Sequence, residues 1–356
     1  PGTAGRQTVE NRPVPILRTI DAHTAGEPLR LVTEGWPAPE GRTMLERRAW
    51  AREHQDHLRR VLMFEPRGHL DMYGALLTEP ERADSDAGVL FMHNEGFSTM
   101  CGHGIIAVTT IAFERELLAG RPGDEPAGQG RITRALTLDA PAGQIRANAM
   151  LSTEDGRRRV ERVSFVNVPS FVLASGVPVK IGKRTFAADV AFGGAFYAIV
   201  DAESAGLGMT SDRLVELRQA GMAIKEAIEA TVKVVHPEEP GLTGIYGTIF
   251  TGPASRADAH LRNVTVFAEA EVDRSPCGTG TCAVLAVLDA MGLASPDEPF
   301  VHESVIGTVF RARAIERTEV GGHPAIIPEL SGDAWITGEH TFLVDPRDPL
   351  REGFRL

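Results

Sequence analysis

Residues 99–106 read TMCGHGII, and residues 275–282 read SPCGTGTC. Both stretches place a Cys-Gly-x-Gly motif directly before an apolar run, and the two motifs stand about half of the 356-residue chain apart. The sequence holds only 3 cysteines, and two of them, Cys101 and Cys277, occupy this repeated setting. The repetition predicts a chain built from two similar halves.

Each motif precedes a segment that is predicted to be helical and that is apolar on nearly every face. GHGIIAVTTIAFEREL follows Cys101, and GTGTCAVLAVLDAMG follows Cys277, with Gly292 as a natural C-terminal stop. A helix without a polar face is buried, and short β-rich runs separated by turn signals surround both helices. The pattern predicts an α/β (α+β) fold of two pseudo-symmetric domains. Each would be a mostly antiparallel sheet wrapped round a buried helix, with the active site in the cleft between them.

Two other segments, residues 41–63 and 213–234, have helical periodicity with dense charge. We expect the first to be one exposed surface helix and the second to be its counterpart in the other half. A polar, turn-rich stretch near residue 155 marks the predicted boundary, which gives domains at 14–155 and 156–339. The C-terminal segment, about 340–356, is a candidate for return to the first domain.

Composition excludes several classes of protein. A formal net charge of −11 argues against a nucleic-acid partner or an anionic membrane surface, because both require a basic footprint. Three cysteines cannot form an even disulfide framework, and their spacing is not that of a zinc site. Residues 1–13 are polar and rich in glycine and proline, so we expect a loose segment and no signal peptide. No apolar run approaches the length of a membrane span. We expect a soluble cytoplasmic enzyme.

A cysteine at a helix start lies beside unpaired backbone N–H groups and the positive end of the helix dipole. This position lowers the pKa of a thiol, and the same N–H groups suit a carboxylate. Two such cysteines on opposite faces of one Cα could remove a proton from one side and deliver another from the other side. The arrangement predicts a two-base racemase that needs no cofactor.

Other interpretations of these residues compete with this one. A cysteine in an apolar segment usually packs as a small hydrophobic residue, and we expect this of Cys282, although pairing with Cys277 is an alternative. No dinucleotide-binding motif follows a strand, and none of the four lysines lies in a phosphate-binding context. Scattered histidines and acids lack the short spacing of metal ligands, so we predict no metal. These residues are His23, His69, His93, His103, Glu27, Glu65 and Asp71.

The motifs MCGHG and DRSPCGTGT resemble the proline racemase family, which shares a two-domain fold with diaminopimelate epimerase. The resemblance covers nearly the whole chain, and its matching stretches are long, specific and in the order found in the family. The matching stretches are IDAHTAGEPLRLV at 20–32, EPRGHLDMYGALL at 65–77, FGGAFYAIVDA at 192–202, VFAEAEVDRSPCGTGT at 266–281 and the ending ITGEHTFLVDPRDPLREGF.

The resemblance implies roles for individual residues. Cys101 and Cys277 match the two catalytic thiols of the family. The residues that match positions round the substrate are Gly102, His103, Gly278 and Thr279 at the carboxylate, Asp273 and His103 near the imino nitrogen and the thiols, and Tyr73 and Phe267 as aromatic walls. From the sequence alone each has a plainer alternative: His103 could cap a helix, Asp273 could be a turn acid, and the two aromatic residues could belong to the core.

The substrate and the outcome are less defined than the chemistry. Trans-3-hydroxy-L-proline dehydratases of this family carry threonine at the second catalytic position, so Cys277 favours inversion. Ser98 stands where proline racemases tend to carry an apolar residue, and its hydroxyl would suit a hydroxylated ring. We therefore predict a racemase or 2-epimerase acting on proline or a hydroxyproline. The alternatives are a trans-3-hydroxy-L-proline dehydratase that forms a cyclic imine and a catalytically silent binder of imino acids. A homodimer is the candidate assembly.

Overall fold

The structure is a computed structural model, and it describes residues 16–120, 125–128, 131–154, 156–295 and 298–355. The segment 1–13, which the sequence predicts to be loose, lies outside the described residues. No described helix has the length and apolar character needed to cross a membrane.

The described elements follow one another in two comparable series. The first series comprises β1 (Ile16–Thr24), β2 (Glu27–Glu34), α1 (Met44–His54), α2 (Asp56–Met63), β3 (Tyr73–Thr78), β4 (Ala87–His93), β5 (Gly96–Phe97), α3 (Gly102–Glu114), β6 (Glu125–Gly128), β7 (Arg131–Ala140), β8 (Gly143–Glu154) and β9 (Arg157–Val166). The second comprises β10 (Ser170–Ile181), β11 (Arg184–Phe192), β12 (Phe196–Asp201), a 3-10 turn (Ser211–Arg213), α4 (Leu214–Glu229), β13 (Ile245–Pro253), β14 (Leu261–Phe267), β15 (Glu271–Val272), α5 (Gly278–Ala290), β16 (Phe300–Glu303), β17 (Val309–Val320), β18 (His323–Gly332) and β19 (Ala334–Leu343).

Strand pairing has the same pattern in both halves. In the first half the hydrogen-bonded order is β19-β1-β2-β3-β4-β7-β8-β9, and in the second it is β10-β11-β12-β13-β14-β16-β17-β18. In each series the third and fifth pairings are parallel and the others antiparallel. The predicted fold class is confirmed: two mostly antiparallel sheets repeat one topology.

The last strand of the chain returns to the first half. β19 comes last in the chain but pairs with β1, whereas β10 follows β9 directly and pairs with β11 in the second half. The pairing of β18 with β9 joins the halves, and the pairing of β18 with β10 lies within the second half. Because β9 pairs with β8 along its length, we propose that the chain passes to the second half at 167–169, not at 155. Because β19 pairs with β1, we propose that the chain returns to the first half at residue 333, before the expected position near residue 340.

A buried helix lies within each sheet, as the apolar sequences predict. Residues 102–113 of α3 and residues 278–287 of α5 are all buried. Gly292, just beyond α5, has a φ of +71°, the left-handed conformation of a C-terminal stop. In each half the sheet surrounds the helix on the outside. The starts of α3 and α5 therefore both lie at the interface between the halves.

The prediction of one exposed helix over 41–63 is wrong. The segment forms α1 and α2, which are separated at Gln55, and α2 buries Arg59 and residues 61–63. Gln55 is itself buried, and its amide donates to the Pro37 carbonyl at 2.8 Å and accepts from the Trp36 indole at 2.8 Å. These bonds connect Gln55, whose backbone is not helical, to the preceding loop. The second predicted helix is present as α4.

Candidate active site

The starts of α3 and α5 meet at two glycines. A methyl group added to Gly102 would stand 2.5 Å from the Cα of Gly278, and one added to Gly278 would stand 2.5 Å from the Cα of Gly102. Only residues without a side chain allow the two backbones to approach so closely. The reciprocal contact places an approximate twofold axis between the two glycines and brings both Cys-Gly-x-Gly motifs into one site.

A small cavity of about 20 Å³ lies at this junction. Its lining contains nine of the ten residues that the sequence or the resemblance singled out: Tyr73, Cys101, Gly102, His103, Phe267, Asp273, Cys277, Gly278 and Thr279. The tenth, Ser98, lies one layer behind, where its hydroxyl accepts from the Tyr73 hydroxyl at 2.7 Å. The cavity has room for about one water molecule. The site described here is therefore closed.

The Cys101 sulfur has two hydrogen-bonding neighbours. Cys101 is the N-cap of α3 with extended backbone (φ −145°), and its sulfur accepts from the Gly104 N–H at 3.2 Å. The Nδ1 atom of His103 lies 3.3 Å from the same sulfur. Burial lowers the pKa of His103 to about 3, so its imidazole is neutral near pH 7. Cys101 thus combines a helix N–H with an uncharged ring.

Cys277 occupies the matching position with a different environment. Its backbone is left-handed (φ +61°), and its sulfur makes no capping hydrogen bond with α5. The Tyr197 hydroxyl lies 3.5 Å from the sulfur and 2.6 Å from the Thr279 hydroxyl. The Cys277 N–H donates to the Ser275 hydroxyl at 3.1 Å, and that hydroxyl donates to Asp273 at 2.7 Å. A hydrogen-bonded turn centred on Asp273 therefore holds Cys277.

Burial raises the pKa of both thiols above its usual value, and this outweighs the lowering expected at a helix start. The Asp273 carboxylate raises both pKa values further and ranks higher among the causes at Cys277. At Cys101 the Gly104 N–H and the Tyr73 hydroxyl oppose the increase, and at Cys277 the Tyr197 hydroxyl, the nearby Gly280 N–H and the Thr279 hydroxyl oppose it. In this site both sulfurs are therefore held as thiols.

Carboxyl groups cluster behind the cavity. Glu27 is fully buried: its Oε2 accepts from the Arg274 N–H at 2.7 Å, and its Oε1 has no partner among the described residues. Burial raises the pKa of Glu27, and Asp273 raises it further. Burial also raises the pKa of Asp273, to about 6. Two neighbouring buried carboxyls thus compete for ionisation, and a cation in the cavity would favour the ionised form of Asp273.

Sequence reasoning missed Met100, Tyr197 and Tyr246, which complete the lining. The chain has only 3 tyrosines, and all of them surround this cavity. Tyr73 and Tyr246 come from opposite halves, and their hydroxyls lie 3.1 Å apart. The scarcity of tyrosine was a usable signal. No group of three or more His, Cys, Asp or Glu side chains within the described ranges is arranged to hold a metal ion.

Comparison with known proteins identifies relatives along the whole chain. Residues 19–355 match the model of the family described as proline racemase. A trans-3-hydroxy-L-proline dehydratase of Bacillus cereus is 49% identical, with 96% of this chain and 98% of the relative covered. A 3-hydroxyproline 2-epimerase of Burkholderia multivorans is 43% identical, with 95% and 97% covered. The crystal structure of a hydroxyproline epimerase from Agrobacterium vitis with bound trans-4-hydroxy-L-proline superposes with a TM-score of 0.85 at 30% identity, with 96% of each chain covered.

Proposed function

The chain belongs to the proline racemase family, and we propose that it inverts Cα of a hydroxyproline, 3-hydroxyproline first, through Cys101 and Cys277. The observation that carries this proposal is the meeting of two thiols at facing helix starts. Relatives at 49% and 43% identity are named for reactions of 3-hydroxyproline, which supports that substrate. No step of the proposed reaction requires a cofactor.

In the proposed reaction the substrate carboxylate lies between the starts of α3 and α5, where the first N–H groups of each helix are available to it. The ring nitrogen of the substrate, which is a cation before the reaction, pairs with Asp273. Its positive charge favours the ionised form of that buried carboxyl. One sulfur gives its proton to solvent before the site closes round the substrate. As thiolate it then takes the Cα proton, and the electron pair spreads onto the carboxylate. The opposite thiol then gives its proton to the other face and becomes the thiolate.

We assign the proton from the L enantiomer to Cys101. Trans-3-hydroxy-L-proline dehydratases, which carry threonine at the second position, act on an L substrate, so their first thiol must take its Cα proton. The Gly104 N–H beside the Cys101 sulfur and the Asp273 charge near Cys277 are compatible with the same roles here. Cys277 accordingly begins as the thiol that protonates the opposite face. The reverse reaction, from the D enantiomer, exchanges the two roles.

Dehydration of trans-3-hydroxy-L-proline is the second candidate, and Ser98 and Tyr73 favour it. In that substrate the 3-hydroxyl is on the same face of the ring as the Cα hydrogen, so both face the base. A hydroxyl on the Cys101 face would lie on the side of Tyr73, which hydrogen-bonds to Ser98. After Cys101 takes the Cα proton, the C3–O bond breaks and the leaving hydroxide takes that proton as water. The enamine that remains isomerises to the cyclic imine.

The test is to incubate the protein with trans-3-hydroxy-L-proline, trans-4-hydroxy-L-proline and L-proline in separate deuterated reactions. Chiral chromatography measures inversion, and absorbance or mass spectrometry detects the imine. Inversion of the 3-hydroxy substrate with Cα deuteration is the expected result. Imine without any inverted product would replace epimerisation by dehydration, and the absence of both deuteration and imine with every substrate would contradict the whole proposal.

Single-thiol variants separate the two outcomes. Cys101→Ser should lose both reactions by several orders of magnitude, because a serine hydroxyl is far less acidic than a thiol. Cys277→Ser and Cys277→Thr should lose inversion equally but keep whatever dehydration the native protein performs. Cys282→Ser, a change at the buried third cysteine within α5, is the matched control and should keep the native rates. Inversion that survives in Cys277→Ser would exclude the two-base mechanism.

A further inference from the structure

A second cavity, of about 380 Å³, adjoins the site, and we call it the vestibule. It lies between the halves, lined by Arg48 and Arg52 of α1, by residues 95–99, by Lys225 and Glu229 of α4, and by residues 242–246. Tyr246 belongs to the walls of both cavities. A volume of this size is typical of a small-molecule pocket, whereas the cavity between the thiols is far smaller.

The hydrogen-bonded pair of Tyr73 and Tyr246 stands between the thiols and the vestibule. Tyr73 comes from the first half and Tyr246 from the second, so a change in the spacing of the halves would separate their hydroxyls. A five-membered ring with a carboxylate cannot enter the closed site, which has room for about one water. A substrate must therefore wait for the site to open, and the vestibule is a space beside this pair that it can occupy first.

Two guanidinium groups in the vestibule have no carboxylate partner. Arg48 and Arg52 are one turn apart on α1, a spacing at which like charges repel each other along a helix. Neither forms an ion pair with any residue that the structure describes; Arg48 only donates from Nε to the Phe97 carbonyl at 2.8 Å. Burial lowers the pKa of Arg48 to about 10, which leaves it cationic near pH 7. Two neighbouring guanidinium groups without a carboxylate partner among the described residues favour the binding of an anion at this wall of the cavity.

The other charged groups of the vestibule are mostly engaged or exposed. Glu95 pairs with Arg355, and Glu229 accepts from the Ile245 N–H at 2.7 Å. Lys225 donates to the Ala268 carbonyl at 3.3 Å, and Glu269 is exposed at the rim. The arginine pair on one wall and Glu269 on the other match the two charges of an imino acid zwitterion.

We propose that the vestibule is a docking site for the carboxylate of a cyclic imino acid, held by Arg48 and Arg52 before the Tyr73–Tyr246 pair opens. The identity of the imino acid rests on the proposed function. The carboxylate site itself rests only on the arginine pair, the cavity and its position outside the tyrosines. A small anion of another kind that carries a carboxylate would be attracted in the same way.

Two alkylating reagents of nearly equal size test this without any turnover. Iodoacetate carries a carboxylate and iodoacetamide does not, so the ratio of their rates at Cys101 and Cys277 reports attraction of a carboxylate toward the site. Peptide mass spectrometry gives the rate at each thiol. The ratio should fall at least 5-fold, an order-of-magnitude expectation, in Arg48→Gln/Arg52→Gln and should fall further in Arg48→Gln/Arg52→Glu, which leaves a net negative charge. High salt should weaken the native preference.

The control Arg313→Gln/Arg317→Gln removes the same charge from exposed positions on β17 and should keep the native ratio. Arg52→Gln alone, at an exposed side chain, covers the case in which Arg48 is needed for folding. An equal ratio in the native protein and in both arginine variants overturns the docking site. Because this readout needs no catalysis, an absence of epimerase and dehydratase activity would contradict the proposed function alone.

A second experiment blocks the vestibule. A side chain at Gly96 would meet no atom within 4 Å, so Gly96→Cys should fold normally. A maleimide carrying a long polyethylene glycol is too bulky to reach Cys101 or Cys277, and at position 96 it should remove most of the Cα deuteration activity. Ala187→Cys, exposed on β11, carries the same label as control. Full activity of the labelled Gly96→Cys protein would show that substrates enter elsewhere.

Discussion

At the start of α3 the Cys101 sulfur accepts a backbone N–H and lies beside a neutral imidazole, whereas at the start of α5 the Cys277 sulfur has a tyrosine hydroxyl and a nearby carboxylate. The backbone contact between the two starts is the same from both sides. The difference is confined to side chains and to the conformation of Cys277. The two equivalent positions therefore offer their sulfurs different hydrogen-bond partners, and the Asp273 charge ranks higher among the influences on Cys277.

The carboxylate of Asp273 is the largest expected source of this difference. Asp273→Asn should lower kcat/KM by about 100-fold or more, because a buried partner of the substrate cation is lost. The same change should lower the pKa of Cys277 more than that of Cys101, since Asp273 ranks higher among the causes of the raised pKa at Cys277. Iodoacetamide should then alkylate Cys277 faster at a fixed pH near neutrality, and mass spectrometry would measure it.

Cys282 serves as an internal control in that measurement. It is fully buried, and burial raises its pKa to about 12 without a contribution from Asp273. Its alkylation rate should be the same in the native protein and in Asp273→Asn. Equal acceleration at Cys101 and Cys277 would show that the carboxylate does not distinguish the two thiols.

The shared backbone contact can be broken from either side. Gly102→Ala and Gly278→Ala each place a methyl group 2.5 Å from the opposite Cα, so each should lower the free energy of unfolding by about 1–3 kcal/mol and reduce activity. Gly96→Ala, where the methyl group meets nothing, is the control and should change neither. Chemical denaturation measures the stabilities. Markedly unequal losses in the two variants would contradict the twofold relation between the helix starts.

The smallest expected effect concerns backbone conformation at the two cysteines. Cys277 has a left-handed φ of +61° and Cys101 an extended φ of −145°. At position 277, glycine should be more stable than alanine by about 1 kcal/mol, because alanine keeps the strain. Both cysteines are N-caps, where glycine is preferred to alanine, so at position 101, which has no such strain, the advantage of glycine should be smaller than at position 277. Comparing alanine with glycine at each site cancels the lost sulfur, and an equal difference at both sites would contradict the assignment of strain to Cys277.

Much of the architecture could be predicted from the sequence because it depends on local patterns. The repeated Cys-Gly-x-Gly motifs, the two apolar helices and the stop at Gly292 are all visible in the residues themselves. The sequence also predicts helix starts that face each other, whereas the direct contact of Gly102 with Gly278 is visible only in the structure. These features depend on the periodicity of apolar residues and on the conformational freedom of glycine. Both can be read from residues that are close together in the sequence.

The tertiary structure alone decided what depends on distant residues. Gln55, where the helix breaks, contacts residues 36 and 37, and the return of β19 to β1 pairs Ile16 with Leu343, near opposite ends of the chain. The raised pKa of each thiol was likewise beyond the sequence, since a helix start lowers a thiol pKa while burial, which only the assembled halves create, raises it. Here burial is the larger effect. Local sequence placed the two sulfurs at helix starts, and the packing of one half against the other determined their protonation.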